Sequence, residues 1–200
     1  MDFTDKLTTI KNDLYAKKPS RINHIEGVAE CALELKRRHF PEIPDFKILQ
    51  AAYMHDFTKE YDIQAHIEIL NKYNMPLDGY EEITPKLLHS KSAYAIAAYE
   101  YKLDEDVCLA VLYHTTGREN MTPLEKIIYL ADYIEKNRTY VTCTDVRDTY
   151  ELLVEKQHKK PMEEAILYSL DLTIGELIEK KLIIHKDTIQ ARNYLIKEGI

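Results

Sequence analysis

Glycine and proline are scarce in this 200-residue chain, at five and seven. Leu, Ile, Ala, Glu and Lys abound instead, so the composition predicts a mostly helical protein. The three cysteines, Cys31, Cys108 and Cys143, are scattered, odd in number and form no CxxC pair. That disfavours a structural zinc cluster and predicts buried thiols in a reducing cytoplasm. Basic excess is missing too: the formal net charge is −7 and the sequence pI about 5.6. A general nucleic-acid or membrane-surface binder is therefore not expected, although a locally basic pocket is not forbidden. No apolar run approaches a membrane span, and the opening MDFTDKLTTIKND lacks the basic-then-apolar layout of a signal peptide. Repeats, low-complexity runs and long linkers are absent as well.

With 45% hydrophobic and 30% charged residues, the chain suits one soluble domain over residues 1–200. The spacing predicts helices over 5–17, stopped by Lys18-Pro19, and over 21–40, capped by Ser20. A third, capped by Asp45, runs through Leu49, Ala52 and Tyr53 to His55-Asp56, and others cover 61–73, 85–101, 104–114 and 122–135. The stretch NMPLDGYEEITP reads as a loop over one mouth of the domain. Three more helices, near 145–157, 161–180 and 188–198, should pack on a core formed by about residues 20–140. The expected class is an all-α bundle.

Within that pattern His24, His55, Asp56, His89, His114 and Asp132 follow one another along the helices. A His-Asp dipeptide alone says little, since chance supplies about half of one in this composition. Phase says more. Leu49, Ala52, Tyr53 and Asp56 share an i, i+3, i+4, i+7 stripe, and Ile48, Ala51, Ala52 and His55 share the adjoining one. Val107, Ala110, Val111 and His114 repeat the pattern, as do His89, Ala93, Ile96 and Ala97, while His24 and Asp132 sit at the edges of their apolar arcs. Singly, each histidine reads as a hydrogen-bonded core residue. Jointly they need a partner in the core, because buried polar groups left unsatisfied are costly.

Two transition-metal ions would satisfy them, with Asp56 as the bridging carboxylate. His24, His55 and Asp132 would complete one shell and His89 with His114 the other. A hydroxide bridging the ions would then attack phosphorus in line. Cationic and hydroxyl groups lie nearby in sequence: Arg21 a turn before His24, Lys59 a turn after Asp56, and Arg138 just past Asp132. The loop His114-Thr115-Thr116-Gly117-Arg118 offers hydroxyls, backbone N–H groups and a guanidinium to phosphate oxygens.

The order His…His-Asp…Asp on helices resembles the HD-domain metal-dependent phosphohydrolases. The longer segments RINHIEGVAECALEL, YMHDFTKEY, LLHSKSAYAIA and YHTTGRENMTPLEKIIYLADYIEKNR are similar to the YqeK family of HD proteins over almost the whole chain. Those are bacterial hydrolases that split diadenosine tetraphosphate symmetrically into two ADP. The resemblance implies a two-metal centre, often iron, with manganese, cobalt, nickel or zinc acceptable to the same donors. It implies His24, His55, Asp56, His89, His114 and Asp132 as ligands, and Lys59, Thr115 and Arg138 as phosphate contacts. Two positions depart from the pattern: Ser90 stands where a glycine is usual and Lys136 where a proline is common. Neither removes a ligand.

The reading is therefore a cytoplasmic dinucleoside tetraphosphate hydrolase with a nucleotide substrate, Asp56 and Lys59 at the chemistry, and Arg21, Lys59, Thr115, Thr116 and Arg138 on the phosphates. Partners in nucleic acid or membrane are not expected. The fifteen tyrosines suit either core packing or a homodimer surface, and the tail LYSLDLTIGELIEK either walls the nucleoside or packs the core. Two alternatives stay open: an HD phosphohydrolase of another nucleotide, such as a mono- or triphosphate or a guanosine alarmone, and a non-catalytic nucleotide-binding protein.

Overall fold

Helix α8 (Pro123–Ile134) is apolar nearly all round, and the rest of the chain is arranged about it. The computed structural model describes residues 3–17 and 19–200; Met1, Asp2 and Lys18 lie outside them, and with Lys18 half of the stop expected after the first helix. Among the described residues there are eleven α-helices and no strand. Before α8 come α1 (Phe3–Lys17), α2 (Ile22–His39), α3 (Asp45–Met54), α4 (Ile63–Lys72), α5 (Gly79–Ile83), α6 (Leu88–Ala95) and α7 (Glu105–Tyr113). After it come α9 (Val141–Glu155), α10 (Pro161–Glu179) and α11 (Lys186–Lys197).

Helix α2 packs on α3 and α8, and α7 on α3, α6 and α8, while α9 and α10 cover the remaining side of α8. The shared core holds Ile25, Val28 and Ala32 of α2, Ile48, Ala51 and Ala52 of α3, Val107, Ala110 and Val111 of α7, and Ile127, Ile128 and Ala131 of α8, all at 0% exposure. Each large aliphatic among them contributes about 1.5–3 kcal/mol through burial. These stripes run straight into the histidines and aspartates, so the force that closes the bundle also gathers the polar groups. The tail segment follows the same logic: Leu167 and Leu170 of α10 are core residues.

Several local expectations are corrected. Ser20 does not cap α2: a short 3-10 turn, Pro19–Arg21, precedes the helix, and the Ser20 hydroxyl donates to Glu60 Oε1 at 2.5 Å. Asp45 is the first residue of α3 and accepts from Lys36 Nζ at 2.8 Å, with Pro44 in the cap position. The expected loop contains α5, started by a capping box in which Asp78 accepts from the Tyr80 and Glu81 amides and Glu81 from the Asp78 amide. The helix expected over 85–101 begins as a 3-10 turn, Pro85–Leu87, and ends in a π-helical turn, Ile96–Glu100. No helix among the described residues is long and apolar enough to cross a membrane. All three cysteines are free, and burial pushes Cys108 up to about 11 and Cys31 up to about 12.

Candidate active site

Helix ends deliver the polar cluster. His55 occupies the C-cap of α3 and Asp56 opens a tight turn in which the Lys59 amide donates to the Asp56 carbonyl at 3.0 Å. His89 lies in the first turn of α6, His114 at the C-cap of α7, His24 in the first turn of α2 and Asp132 in the last turn of α8. The Thr58 hydroxyl donates to the His89 carbonyl at 2.8 Å and ties the turn after α3 to α6. At the end of α7, Gly117 adopts φ +64° and its amide returns to the Tyr113 carbonyl at 2.8 Å, reversing the chain right after Thr115 and Thr116.

Each imidazole has its Nδ1 committed. His55 Nδ1 meets the Ala52 carbonyl at 2.6 Å, His89 Nδ1 the Lys86 carbonyl at 2.6 Å, and His114 Nδ1 the Val111 carbonyl at 2.7 Å. His24 Nδ1 meets a carboxylate, Glu135 Oε1, at 3.1 Å. A carbonyl or carboxylate only accepts, so each ring donates from Nδ1 and turns its Nε2 into the cluster. Those Nε2 atoms converge: His89 Nε2 is 3.0 Å from His114 Nε2, and His24 Nε2 is 3.4 Å from His55 Nε2. Burial holds His55 down at about 3, against the opposing pull of Asp56 and Asp132, and burial lowers His89 as well. Imidazole Nε2 atoms that converge in pairs fit a cation between them.

Asp56, 2% exposed, lies between the pairs. Its Oδ2 is 3.6 Å from both His24 Nε2 and His55 Nε2; its Oδ1 is 3.3 Å from His89 Nε2 and 3.6 Å from His114 Nε2. Oδ1 is buried and accepts no hydrogen bond. Burial pushes the Asp56 carboxyl up, but His55, His114, His89 and Lys59 together outweigh it and hold the group well below the usual range. Asp132 Oδ1 is 3.1 Å from His24 Nε2, 3.6 Å from His55 Nε2 and 2.5 Å from Arg138 Nη2. There too burial raises the carboxyl, while Arg138, His24 and His55 carry it well below its ordinary value. Two groups of donor atoms result, His24-His55-Asp132 and Asp56-His89-His114, each within 4.8 Å. Imidazole nitrogen with carboxylate oxygen, and no thiolate, is a donor set consistent with a dinuclear metal site.

Three of the cationic residues lie against the cluster. Arg21 pairs through Nη2 with Asp56 Oδ2, Arg138 pairs with Asp132, and Lys59 Nζ is 3.1 Å from His89 Nε2 and 3.6 Å from Asp56 Oδ1. Both arginines keep a buried Nε–H with no acceptor. The Thr115 hydroxyl lies 3.1 Å from His114 Nε2 and 3.3 Å from His89 Nε2. Thr116 is not brought to the imidazoles: its hydroxyl donates to the Gly117 carbonyl at 2.9 Å and it lines a neighbouring cavity with Tyr113 and His185. Arg118 turns away entirely, gripping buried Glu125 at 2.9–3.1 Å above the Tyr113 ring. Of the two unusual positions, the Ser90 hydroxyl donates to the Leu87 carbonyl and Lys136 pairs with Glu30 on the surface.

Two residues in the site's support went unremarked in the sequence. Glu135 is 1% exposed and bonds His24. Arg147 donates to the carbonyls of Ile134, Glu135 and Arg138, fixing the segment that carries both Glu135 and Arg138. The signal available for Glu135 was its position beside Asp132 in ADYIE; Arg147, nine residues beyond Arg138, left none.

The HD domain model matches residues 21–137, which span every residue of the cluster. Over 175 residues the chain is 33% identical to the bis(5'-nucleosyl)-tetraphosphatase, symmetrical, of Staphylococcus aureus, covering 87% of this chain and 86% of that one. It is 31% identical to the protein of the same name from Bacillus subtilis, over 98% of both. The crystal structure of a predicted HD superfamily hydrolase involved in NAD metabolism from Clostridium acetobutylicum superposes with a TM-score of 0.83 at 32% identity, covering 96% of this chain and 97% of that one.

Proposed function

This chain belongs to the HD domain family, and from that premise we propose that it hydrolyses diadenosine tetraphosphate symmetrically, giving two molecules of ADP. The observation that carries the reading is the convergence of four Nε2 atoms on Asp56, whose two oxygens face different histidine pairs. His24, His55 and Asp132 would hold one ion and His89 with His114 the other, with Asp56 reaching both; the resemblance to the YqeK family makes iron the first candidate, and such donors also accept manganese, cobalt, nickel or zinc. Two bound ions would supply the positive charge that activates water and neutralises phosphoryl oxygens.

The chain's own groups do the rest. Arg138 and Arg21 hold Asp132 and Asp56 in place by charge and keep a spare N–H each for phosphate. The Thr115 hydroxyl, beside His89 and His114, contacts a phosphoryl oxygen. Lys59, 40% exposed at the edge of the cluster, donates to the phosphate being displaced and offsets the charge that develops there. A pocket that grips one nucleoside and two phosphates sets the reacting centre beside the second phosphate, so a nucleoside diphosphate leaves and another stays. The single-domain reading goes with this: residues 20–140 carry the site, and the contacts of α9 and α10 with α8 support the C-terminal helices as its backing.

A panel of diadenosine tetraphosphate, NAD, nucleoside mono- and triphosphates and a guanosine alarmone, with products identified by chromatography, tests the assignment. NAD belongs there because the Clostridium acetobutylicum relative is described by NAD metabolism. The reading requires diadenosine tetraphosphate to be the preferred substrate and ADP its sole product.

A further inference from the structure

We infer that Glu135 is a positioning residue for His24, fixing that ring's proton on Nδ1 so that Nε2 faces Asp132 and His55. The inference rests on the reading of His24 as a metal ligand. His55, His89 and His114 each use a carbonyl three residues earlier in their own segment, so their orientation is set locally. His24 relies on a carboxylate 111 residues away, across the packing of α2 on α8. Its orientation therefore exists only once those two helices have met.

The surroundings of Glu135 are arranged around that contact. The residue caps the C-terminus of α8, is 1% exposed, and divides its oxygens: Oε1 faces His24 Nδ1 at 3.1 Å and Oε2 accepts the Asn137 amide at 2.7 Å. The Asn137 side chain in turn donates to the Asn23 carbonyl at 2.8 Å, next to His24 in the chain. Gly27, one helical turn after His24, makes the room. A Cβ there would lie 2.2 Å from Glu135 Oε2 and 2.7 Å from Asn137 Nδ2, so any other residue displaces the carboxylate. Arg147 holds the backbone on either side through the carbonyls of Ile134, Glu135 and Arg138. A buried carboxylate with one oxygen on an amide and the other on an imidazole is a charge-assisted anchor, stiffer than a carbonyl contact.

The test uses the full chain with Glu135→Ala, Glu135→Gln and Gly27→Ala, and two readouts. Nitrogen-15 spectra of the imidazoles in chelator-treated protein report which nitrogen of His24 is protonated, with His24→Asn used for assignment. Titration with Co²⁺ alone reports the affinity of each bound ion. Wild type should show His24 protonated on Nδ1 and two bound Co²⁺. Glu135→Ala and Gly27→Ala should lose the Nδ1 preference and weaken one of the two ions by about 10- to 100-fold while sparing the other. Glu135→Gln is near-isosteric, and its single carbonyl oxygen serves only one of the two donors, so its effect should be intermediate; it decides the matter if either alanine variant does not fold. An unchanged His24 proton and unchanged affinities for both ions in the folded variants would overturn the inference. Failure of wild type to bind Co²⁺ would instead overturn the metal reading, and the spectra alone would still decide the positioning role.

Discussion

His89 and His114 face each other with Nε2 atoms 3.0 Å apart while each Nδ1 is bonded to a carbonyl of its own segment. With Asp56 Oδ1 3.3 Å from one nitrogen and 3.6 Å from the other, the three atoms form a donor group that a cation between them would complete. Freshly made protein that has met no chelator should contain close to two transition-metal ions per chain by elemental analysis. Removing them should lower the melting temperature, because an ion at 100 times its Kd adds about 2.7 kcal/mol. A metal-free protein whose melting is indifferent to added Co²⁺ would contradict this.

Asp56 is the residue shared by both groups, so Asp56→Ala should reduce metal content at both positions. Its loss of rate should be about three orders of magnitude or more, exceeding that of His89→Ala or His114→Ala. Steady-state rates paired with elemental analysis check the ranking, and wild-type activity in Asp56→Ala would exclude the arrangement.

The cationic residues separate by contact. Lys59→Ala should slow hydrolysis by about 10- to 1000-fold with both ions retained, since it acts on phosphate charge. Arg118→Ala should leave kcat and KM nearly unchanged but cost roughly 2–3 kcal/mol in urea unfolding, because it strands buried Glu125. Loss of metal in Lys59→Ala, or an intact stability in Arg118→Ala, would reverse the respective role.

Much of this was legible in the sequence, for definite reasons. Apolar stripes such as Leu49-Ala52-Tyr53 and Val107-Ala110-Val111 end on Asp56 and His114, so periodicity alone pointed those groups into the core. Helix α5 escaped because five residues carry no apolar period, although Asp78 and Glu81 spell its capping box. Ser20 and Asp45 have the right chemistry for caps yet bond Glu60 and Lys36, partners fixed by tertiary structure. Gly27 and Arg147 follow the same rule: their contacts cross from α2 to the end of α8 and from α9 to the same segment, and no local pattern reports a crossing. Arg118 could by position have served either solvent or a phosphate, and its partner Glu125, on the next helix, is again fixed by tertiary structure.

Acid should destabilise the metal-free protein in a defined window. Burial holds His55 at about 3 in the folded chain, against an ordinary 6.5, and lowers His89 in the same direction. Between those values the unfolded chain takes up protons that the folded one refuses, so stability rises with pH there and is lost as pH falls from 6.5 toward 3. Asp56 and Asp132, held below their ordinary 3.8, add a loss of the same sign at lower pH. Urea midpoints of chelator-treated protein should fall steadily from pH 7 to pH 4, less steeply in His55→Gln. A flat profile would mean that the imidazoles are not buried neutral.

The central claim, cleavage of a tetraphosphate at its middle anhydride by attack on the second phosphate, is tested most directly by hydrolysing diadenosine tetraphosphate in ¹⁸O-water and weighing the products. The account predicts ADP alone, with one of every two ADP molecules carrying a single ¹⁸O on its terminal phosphate. AMP together with ATP, or label released in inorganic phosphate, would contradict it.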